Sequence, residues 1–330
     1  MDARWLRYFV AVAEAGSFSQ AARRLGIAQP ALSRHVRDME QELGAPLLIR
    51  TARGVVMTDD GERLHSIALG ILRQLDLLPE TIGAKGRVVT GRVVIGVPTS
   101  ASAVLSKPLL LAAMQELPQV QIHLIESLSG FLDEWVQNGR LDLAILYDAV
   151  PSSNLHVERI LTEELWLVGA PSALPRTKGG IRFRDLARFP LVLPGLAHSH
   201  RQLVSSMALK QNVTLKVVAE VDSLHVSKNV VSEGSVFSLL GQSALEPELS
   251  LGRVAAVPVR DPAIVRTISL ARPILRRNNR ATEEIARLCI DVADDLRRRG
   301  IWSGTSDRKA AAPREAGGSM PARANGRQSR

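Results

Sequence analysis

Near the N-terminus, three polar side chains beside a proline have the types and spacing to read a hydrogen-bonding pattern. Pro30, Ser33, Arg34 and Arg37 share one face of a helix, while Leu32, Val36, Met39 and Leu43 recur at spacings of four, three and four on another. The apolar stripe predicts burial on one side. The Ser/Arg/Arg face lies in the N-terminal half, where a helix seated in a DNA major groove meets base edges. Asp38, Glu40 and Glu42 follow further along, and a solvated charged face on an ordinary amphipathic helix reads the same way. The elements that must position this face can be read upstream. Ser17 and Gln20 form an S-x-x-Q capping box that starts a preceding helix. Ala21, Ala22 and Leu25 give it a small apolar side, and Gly26 suits the left-handed conformation that ends it. Pro30 fits the first turn of the next helix, where its missing N–H is not needed.

No catalytic set accompanies this segment. Gly241-Gln242-Ser243-Ala244-Leu245 departs from G-x-S-x-G at its last position. The glycines of residues 83–96 fit neither G-x-G-x-x-G nor a P-loop. His198 and His200 are two apart with no companion ligands, so no metal and no cofactor is expected. Aromatic residues make up only 4% of the chain, which argues against a stacking platform for single strands. The expectation is a binder and not an enzyme.

The order AA-x-x-L, Q-P-A-L-S-R, E-x-E-L-G-x-P-L-L and R-x-x-R-G-x-x-x-T, running from Leu6 to Thr58, resembles the LysR-type family of bacterial transcription regulators. Ile49 stands where that pattern usually has Phe, and Asp60-Gly61 where it often has Ala-Gly. Weaker similarity continues to about Ala271, and Glu134–Asp148 (EWVQNGRLDLAILYD) is similar to the nitrogen-assimilation subgroup. The resemblance implies base or backbone contacts from Gln29, Pro30, Ser33 and Arg34. It further implies a β-wing over residues 46–58 that brings Arg50 and Arg53 to the minor groove or its phosphates. These residue types suit such contacts. Arg pairs bidentately with guanine, Gln with adenine, and Ser with several edges, and cationic side chains favour a narrow A·T-rich minor groove. Arg23 and Arg24 fit phosphate contact and solvated surface equally.

The net charge of +9 suits an anionic partner but does not locate one. The first sixty residues carry eight Lys/Arg against seven Asp/Glu, and residues after Trp302 carry six against two. Geometry, not total charge, therefore carries the case for double-stranded DNA. Cys289 is the only cysteine, which excludes an intramolecular disulfide and fits a reducing compartment. No signal peptide is evident and no run of about 18 apolar residues exists, so a cytoplasmic protein without membrane contact is expected.

Beyond Thr58, which with Asp59 and Glu62 can start a helix, Leu64, Ala68, Ile71, Leu75, Leu78 and Ile82 alternate spacings of four and three. That heptad seam predicts self-association, which a reader of a two-fold site requires; the alternative is one amphipathic helix packed on its own domain. Pro79 predicts an end or kink near Leu78. Residues 83–91 read as a hinge. Short apolar strands then alternate with helices in two series, which predicts α/β architecture with parallel sheets, two lobes and a cleft. The first series places a helix at Leu109–Leu117 and the second a closing helix at Glu283–Arg299. Ligands of such sheets bind beyond strand carboxyl ends. The rule selects Pro98–Ser102, Ser127–Gly130 and Asp222–Ser223, hence Thr99, Ser100, Ser102, Ser129, Gly130 and Ser223, with Pro194 and His198 from the second lobe. Hydroxyls and free N–H groups at helix starts suit a small organic anion, although any one serine is as readily an N-cap.

The expected organisation is a winged helix–turn–helix over residues 1–58, a linker and dimerisation helix with hinge over 59–90, a two-lobed effector-binding domain over 91–302 and a disordered tail over 303–330. The resemblance implies a periplasmic-binding-protein-like body crossed twice by the chain, and a homotetramer on an interrupted palindrome. It leaves RNA polymerase open as a partner and leaves a regulator without ligand, controlled by abundance, as the alternative. A solute-binding protein on the same two-lobed fold is the other class considered, and the N-terminal sixty residues speak against it.

Overall fold

A computed structural model describes residues 2–52, 54–83, 88–177, 179–196, 198–274 and 279–305. Three helices open the chain: α1 (Ala3–Ala15), α2 (Phe18–Leu25) and α3 (Gln29–Leu43). The local signals act as read. Ser17 Oγ accepts the Gln20 N–H at 3.4 Å, and Gly26 ends α2 at φ 67° with its own N–H turned back to Ala22 and Arg23. Leu32, Val36 and Met39 are buried beneath α1 and α2, but Leu43, the last residue of α3, is 43% exposed and belongs to neither core cluster of this region. β1 (Leu48–Thr51) and β2 (Gly54–Met57) pair antiparallel as the wing. The Val55 N–H donates to the Gly16 carbonyl at 2.8 Å and docks the wing on the turn between α1 and α2. A β-carbon at Gly54, whose φ is 135°, would strike that same carbonyl.

The long helix α4 (Asp59–Gly83) follows, with Thr58 Oγ1 accepting the Gly61 N–H at 3.0 Å. It continues through Pro79, so the expected end at Leu78 does not occur. Proline removes one backbone bond of the ladder, at a cost of about 3 kcal/mol, while the bonds on either side can still carry the helix. The seam also divides. Ala68 and Leu72 are buried with partly buried Leu64 against α1, in the core formed by Leu6, Phe9 and Leu47. Ile67, Ile71 and Leu75 stay exposed on the next face. The side chain of Leu78, residues 84–87 of the hinge, and Arg53 lie outside the described residues.

The body is mixed α/β. β3 (Gly91–Pro98), β4 (Val120–Ser127) and β5 (Leu143–Tyr147) run parallel in the order β4-β3-β5, with α5 (Thr99–Glu116) and α6 (Ser129–Gln137) as connections. α5 begins ten residues before the expected Leu109, because Pro98 ends β3 and the hydroxyl-rich stretch after it is already helical. Val93, Ile95 and Val97 face α5 and the closing helix α10 (Arg280–Arg298), whereas Val94, Ala144 and Leu146 face α6.

Two long strands then cross between lobes: β6 (Leu155–Gly169) and β12 (Ile264–Pro273), paired antiparallel along the length of β12. In the second lobe β10 (Ser238–Gly241) and β11 (Ala255–Arg260) flank the end of β6, also antiparallel, and the two-residue strand β7 (Ile181–Arg182) lies beside β11. β8 (Pro190–Leu193) and β9 (Lys216–Glu220) pair parallel, with α7 (Ser199–Lys210) between them and α8 (Leu224–Ser232) after β9; α9 (Glu246–Ser250) is a short turn of helix. The expected parallel pairing holds away from the crossovers; at them the pairing is antiparallel, since a strand that carries the chain back between lobes must oppose the one that brought it. Thr305 pairs with Thr162 through both backbone bonds, so the fold extends past Trp302; residues 306–330 lie outside the described residues.

Candidate functional site

On the reading helix, Pro30, Arg34 and Arg37 are exposed and Gln29 is half-buried. The N-cap of α3 is Ala28, which offers no side-chain acceptor. The first turn of α3 thus has no side-chain cap from that position, the condition under which a helix start can receive an anion. Ser33 differs from its expected place. It is 5% exposed, and its Oγ accepts from Arg50 Nη2 at 2.7 Å. The guanidinium of Arg50 also lies 4.6 Å over the Phe18 ring. Ser33 therefore holds the wing arginine instead of presenting its own hydroxyl. Arg37 donates to the Ser33 carbonyl, and Glu40 Oε1 accepts the Leu47 and Leu48 N–H groups at 2.8 and 3.1 Å. Glu40, read as one of the trailing acids, ties the start of the wing to α3. Arg23 and Arg24 are exposed on α2.

The three loops selected beyond the strand ends all join a strand to a helix, but only part of them meets in one place. A cavity of about 50 Å³ lies between the lobes, lined by Thr99, Ser100, Pro194 and His198 of the expected set. His200, Asp222, Ser227 and Ser238 line it as well; spacing offers His200 only as half of an incomplete metal pair and Asp222 only as a loop end, and nothing in the sequence points to Ser227 or Ser238. Ser223 caps α8 by accepting the Val226 N–H at 3.3 Å. Ser102 bonds Ser106 at 2.8 Å within α5. Ser129 is buried and accepts the Tyr147 N–H at 3.4 Å, and Gly130 lies beside it on α6; neither lines the cavity.

Beside the cavity, the crossing strands place Glu163 directly opposite Arg266. The two form a buried ion pair, with Arg266 Nε 2.6 Å from Glu163 Oε1. The guanidinium also lies 3.8 Å over the Tyr147 ring and reaches Ser100 Oγ at 3.3 Å; that hydroxyl is 2.5 Å from the Tyr147 hydroxyl. Burial alone would lower the Arg266 pKa, and Glu163 and Tyr147 reverse this and leave it raised. Tyr147 is pushed up by burial, against the opposing pull of Arg266. Burial and then Arg266 push His200 well below the ordinary 6.5; His198 is lowered chiefly by burial.

The reader and the body touch through α4. Asn138, just past α6, donates from Nδ2 to Ser66 Oγ at 3.2 Å. Gly70 packs against the Asn138 carbonyl so closely that a β-carbon there would collide with it. Next to this contact the Arg140 guanidinium stacks 4.1 Å over Trp135, and both Arg140 and His65 feel the charge of Glu14 on α1.

A winged helix–turn–helix carried on a long helix, joined to a two-lobed α/β body with a polar cleft, defines a DNA-binding regulator with an effector-binding domain. Residues 3–62 match the family described as bacterial regulatory helix-turn-helix protein, lysR family, and residues 86–294 match the LysR substrate binding domain. The chain belongs to the LysR family of transcription regulators. Among its relatives, the HTH-type transcriptional regulator BbuR of Bordetella bronchiseptica is 34% identical over 307 residues, 92% of this chain and 94% of the relative. The nitrogen assimilation regulatory protein nac of Escherichia coli is 35% identical over 74% of this chain and 79% of its own. The fold is that of a full-length OxyR variant from Pseudomonas aeruginosa, with a TM-score of 0.70 at 22% identity, covering 94% of this chain and 99% of that one. Among the described residues, no helix is long and apolar enough to cross a membrane.

Proposed function

We propose that this LysR-type regulator works as a cytoplasmic homo-oligomer, with a small organic anion in the interlobe cleft setting how its heads sit on a promoter. One observation supports this above the rest: α6 joins the two sites. Its first residue, Ser129, holds the backbone of Tyr147, whose hydroxyl meets Ser100 on the cavity wall. Just past its last residue, Asn138 holds Ser66 and Gly70 of the helix that carries the reader. Nine residues thus span from effector cleft to linker helix. A ligand that favours one lobe arrangement would shift α6 against α4, and only such a preference moves an equilibrium.

Under this reading, domain limits follow the expected 1–58, 59–90 and 91–302, with the last extended to Thr305. Arg34 and Gln29 reach base edges, Arg37 and the start of α3 meet phosphates, and Arg50, held by Ser33, enters the minor groove. A second copy covers Ile67, Ile71 and Leu75. The chain acts by binding and not by catalysis, as its regulator relatives do. The small volume of the cavity favours one alternative, a regulator with no ligand that responds to its own abundance.

Nuclease footprinting of the full-length protein on DNA upstream of its own gene tests the core of this. An interrupted palindrome should be protected, and the protection should disappear when residues 1–60 are deleted. Protection that unrelated competitor DNA removes as readily would leave only a non-specific binder.

A further inference from the structure

The wing is a hairpin of two four-residue strands with little to pack it. Ile49, Arg50, Thr51 and Val56 are exposed, and Leu48, Val55 and Met57 are only partly buried against the reader's cores. A two-stranded hairpin is marginally stable in water by itself, and a groove of about 320 Å³ lies between β1 and α3. Directed polar bonds must therefore set where the wing stands. Ser33 holds Arg50 in the first strand, and the Gly16 carbonyl holds Val55 in the second. The base of the wing is held by Glu40.

Glu40 acts from both its main chain and its side chain. Its carbonyl accepts the Gly44 N–H that ends α3 and the Ala45 N–H at 3.2 Å. Its Oε1 accepts the Leu47 and Leu48 N–H groups at 2.8 and 3.1 Å. Leu47 is held by the linker helix as well. Its carbonyl accepts the Thr58 N–H at 3.0 Å, a β-carbon at Gly61 would strike that carbonyl, and its side chain is buried beside Ala68 and Leu72. Leu47 thus stays with α4, and Glu40 is the tie that fixes α3 against it. Met39 of α3 shares that core, but apolar contact is non-directional, whereas two N–H bonds to one oxygen have a direction. Arg50 follows Leu48 by two residues on the same face of β1, so its place is inherited from the end that Glu40 holds.

We infer that Glu40 is a positioning residue for DNA binding, setting the separation of reading helix and wing at which Arg34 and Arg50 engage neighbouring grooves together. This rests on the reading of the wing as a minor-groove reader. Dimethyl sulfate protection of the footprinted operator by the full-length protein tests it, because the reagent methylates guanine N7 in the major groove and adenine N3 in the minor groove. The parent should protect both. Glu40→Ala should lose adenine protection and keep guanine protection, and Arg34→Ala should show the reverse. Glu40→Gln keeps an acceptor oxygen and should protect as the parent does. In binding assays Arg50→Ala should weaken operator binding by roughly tenfold or more, the scale of one hydrogen bond to a charged group. Glu40→Ala should weaken it by a smaller factor. The double variant should bind no more weakly than Arg50→Ala alone, since Glu40 acts through Arg50. Thermal melts establish that each variant is folded. Adenine protection that survives Glu40→Ala, protection of both grooves lost together, Glu40→Gln as defective as Glu40→Ala, or losses that add in the double variant would each overturn the inference. A parent that leaves adenine N3 open, or Arg50→Ala that binds as the parent does, overturns the wing as a minor-groove reader and the inference with it; the parent and Arg50→Ala show this without any change at Glu40.

Discussion

Arg34 and Arg37 stand exposed on α3, whereas the Arg266 side chain is 3% exposed between Glu163 and the Tyr147 ring. The same side chain serves opposite purposes. In water a guanidinium costs the fold little and remains available to a partner, at an energy that salt screens. In the interior it must be compensated by the protein itself, so Arg266 secures the crossing strands and has little left for a ligand. Arg50 stands between these cases: it is exposed, yet the buried Ser33 hydroxyl and the Phe18 ring fix its direction.

The comparison is broken most directly at Glu163. Glu163→Ala leaves the Arg266 charge buried without its carboxylate, and removal of one partner of such a pair costs about 3–5 kcal/mol. In a chain this size each kcal/mol lowers the melting temperature by about 2–4 °C, so scanning calorimetry should show a loss of roughly 6–20 °C. The double change Glu163→Leu with Arg266→Met should recover most of it. A single variant that melts like the parent would mean that the pair is not isolated from water.

Arg34→Ala tests the opposite pole. It should leave the melt within about 0.5 kcal/mol of the parent and cost roughly 1–3 kcal/mol of discrimination between operator and scrambled DNA, measured by competition binding. Equal loss on both sequences would assign Arg34 to phosphate. Arg50→Ala should weaken operator binding as well, and Ser33→Ala should do so by a smaller factor, since it frees Arg50 without removing it.

The two regions also differ in how far the sequence disclosed them. Ser17, Gln20 and Gly26 act through neighbours within a few residues, so the reader's helices were legible from local chemistry. The three strand-to-helix loops were found for a similar reason, because each follows an apolar run directly. What stayed hidden depends on distant register. Arg266 and Glu163 are 103 residues apart and meet only because β6 and β12 pair in one alignment. Ser33 was placed on the open face because helical periodicity cannot foresee that a wing 17 residues on folds back over it. His200 reads from spacing as half of an incomplete metal pair, and only the fold buries it in the wall of the cleft. The heptad seam was legible as a pattern but not as a surface: Leu64 and Ala68 serve the reader's own core, and Ile67 joins Ile71 and Leu75 outside it.

Gly70→Ala probes the contact that joins the poles. The added methyl collides with the Asn138 carbonyl, and overpacking of this kind costs about 1–3 kcal/mol. Most of that strain can be relieved by parting α4 from α6, so the expected net loss is near the lower end. Ligand dependence of DNA binding should weaken while binding without ligand persists. Small-angle scattering should show a more extended chain. An unchanged response to ligand would remove α6 as the connection.

The smallest expected effect, and the sharpest division between the poles, lies in acid. His200 is held well below 6.5 by burial and by Arg266. In the unfolded chain it takes a proton near that ordinary value; in the fold it does not. Folding stability should therefore fall as pH drops below about 6.5, and keep falling until the folded-state pKa is reached. His198 and His65, both lowered chiefly by burial, act in the same direction. Urea unfolding of the full chain between about pH 7 and pH 5 should show a steeper loss in the parent than in His200→Phe, which has no proton to exclude. Arg34→Ala should keep the parent's slope, because it leaves His200 and its surroundings unchanged. Parallel slopes for the parent and His200→Phe would place His200 in contact with water, and the contrast between a dry cleft and a wet reader would then fail at the residue that carries it.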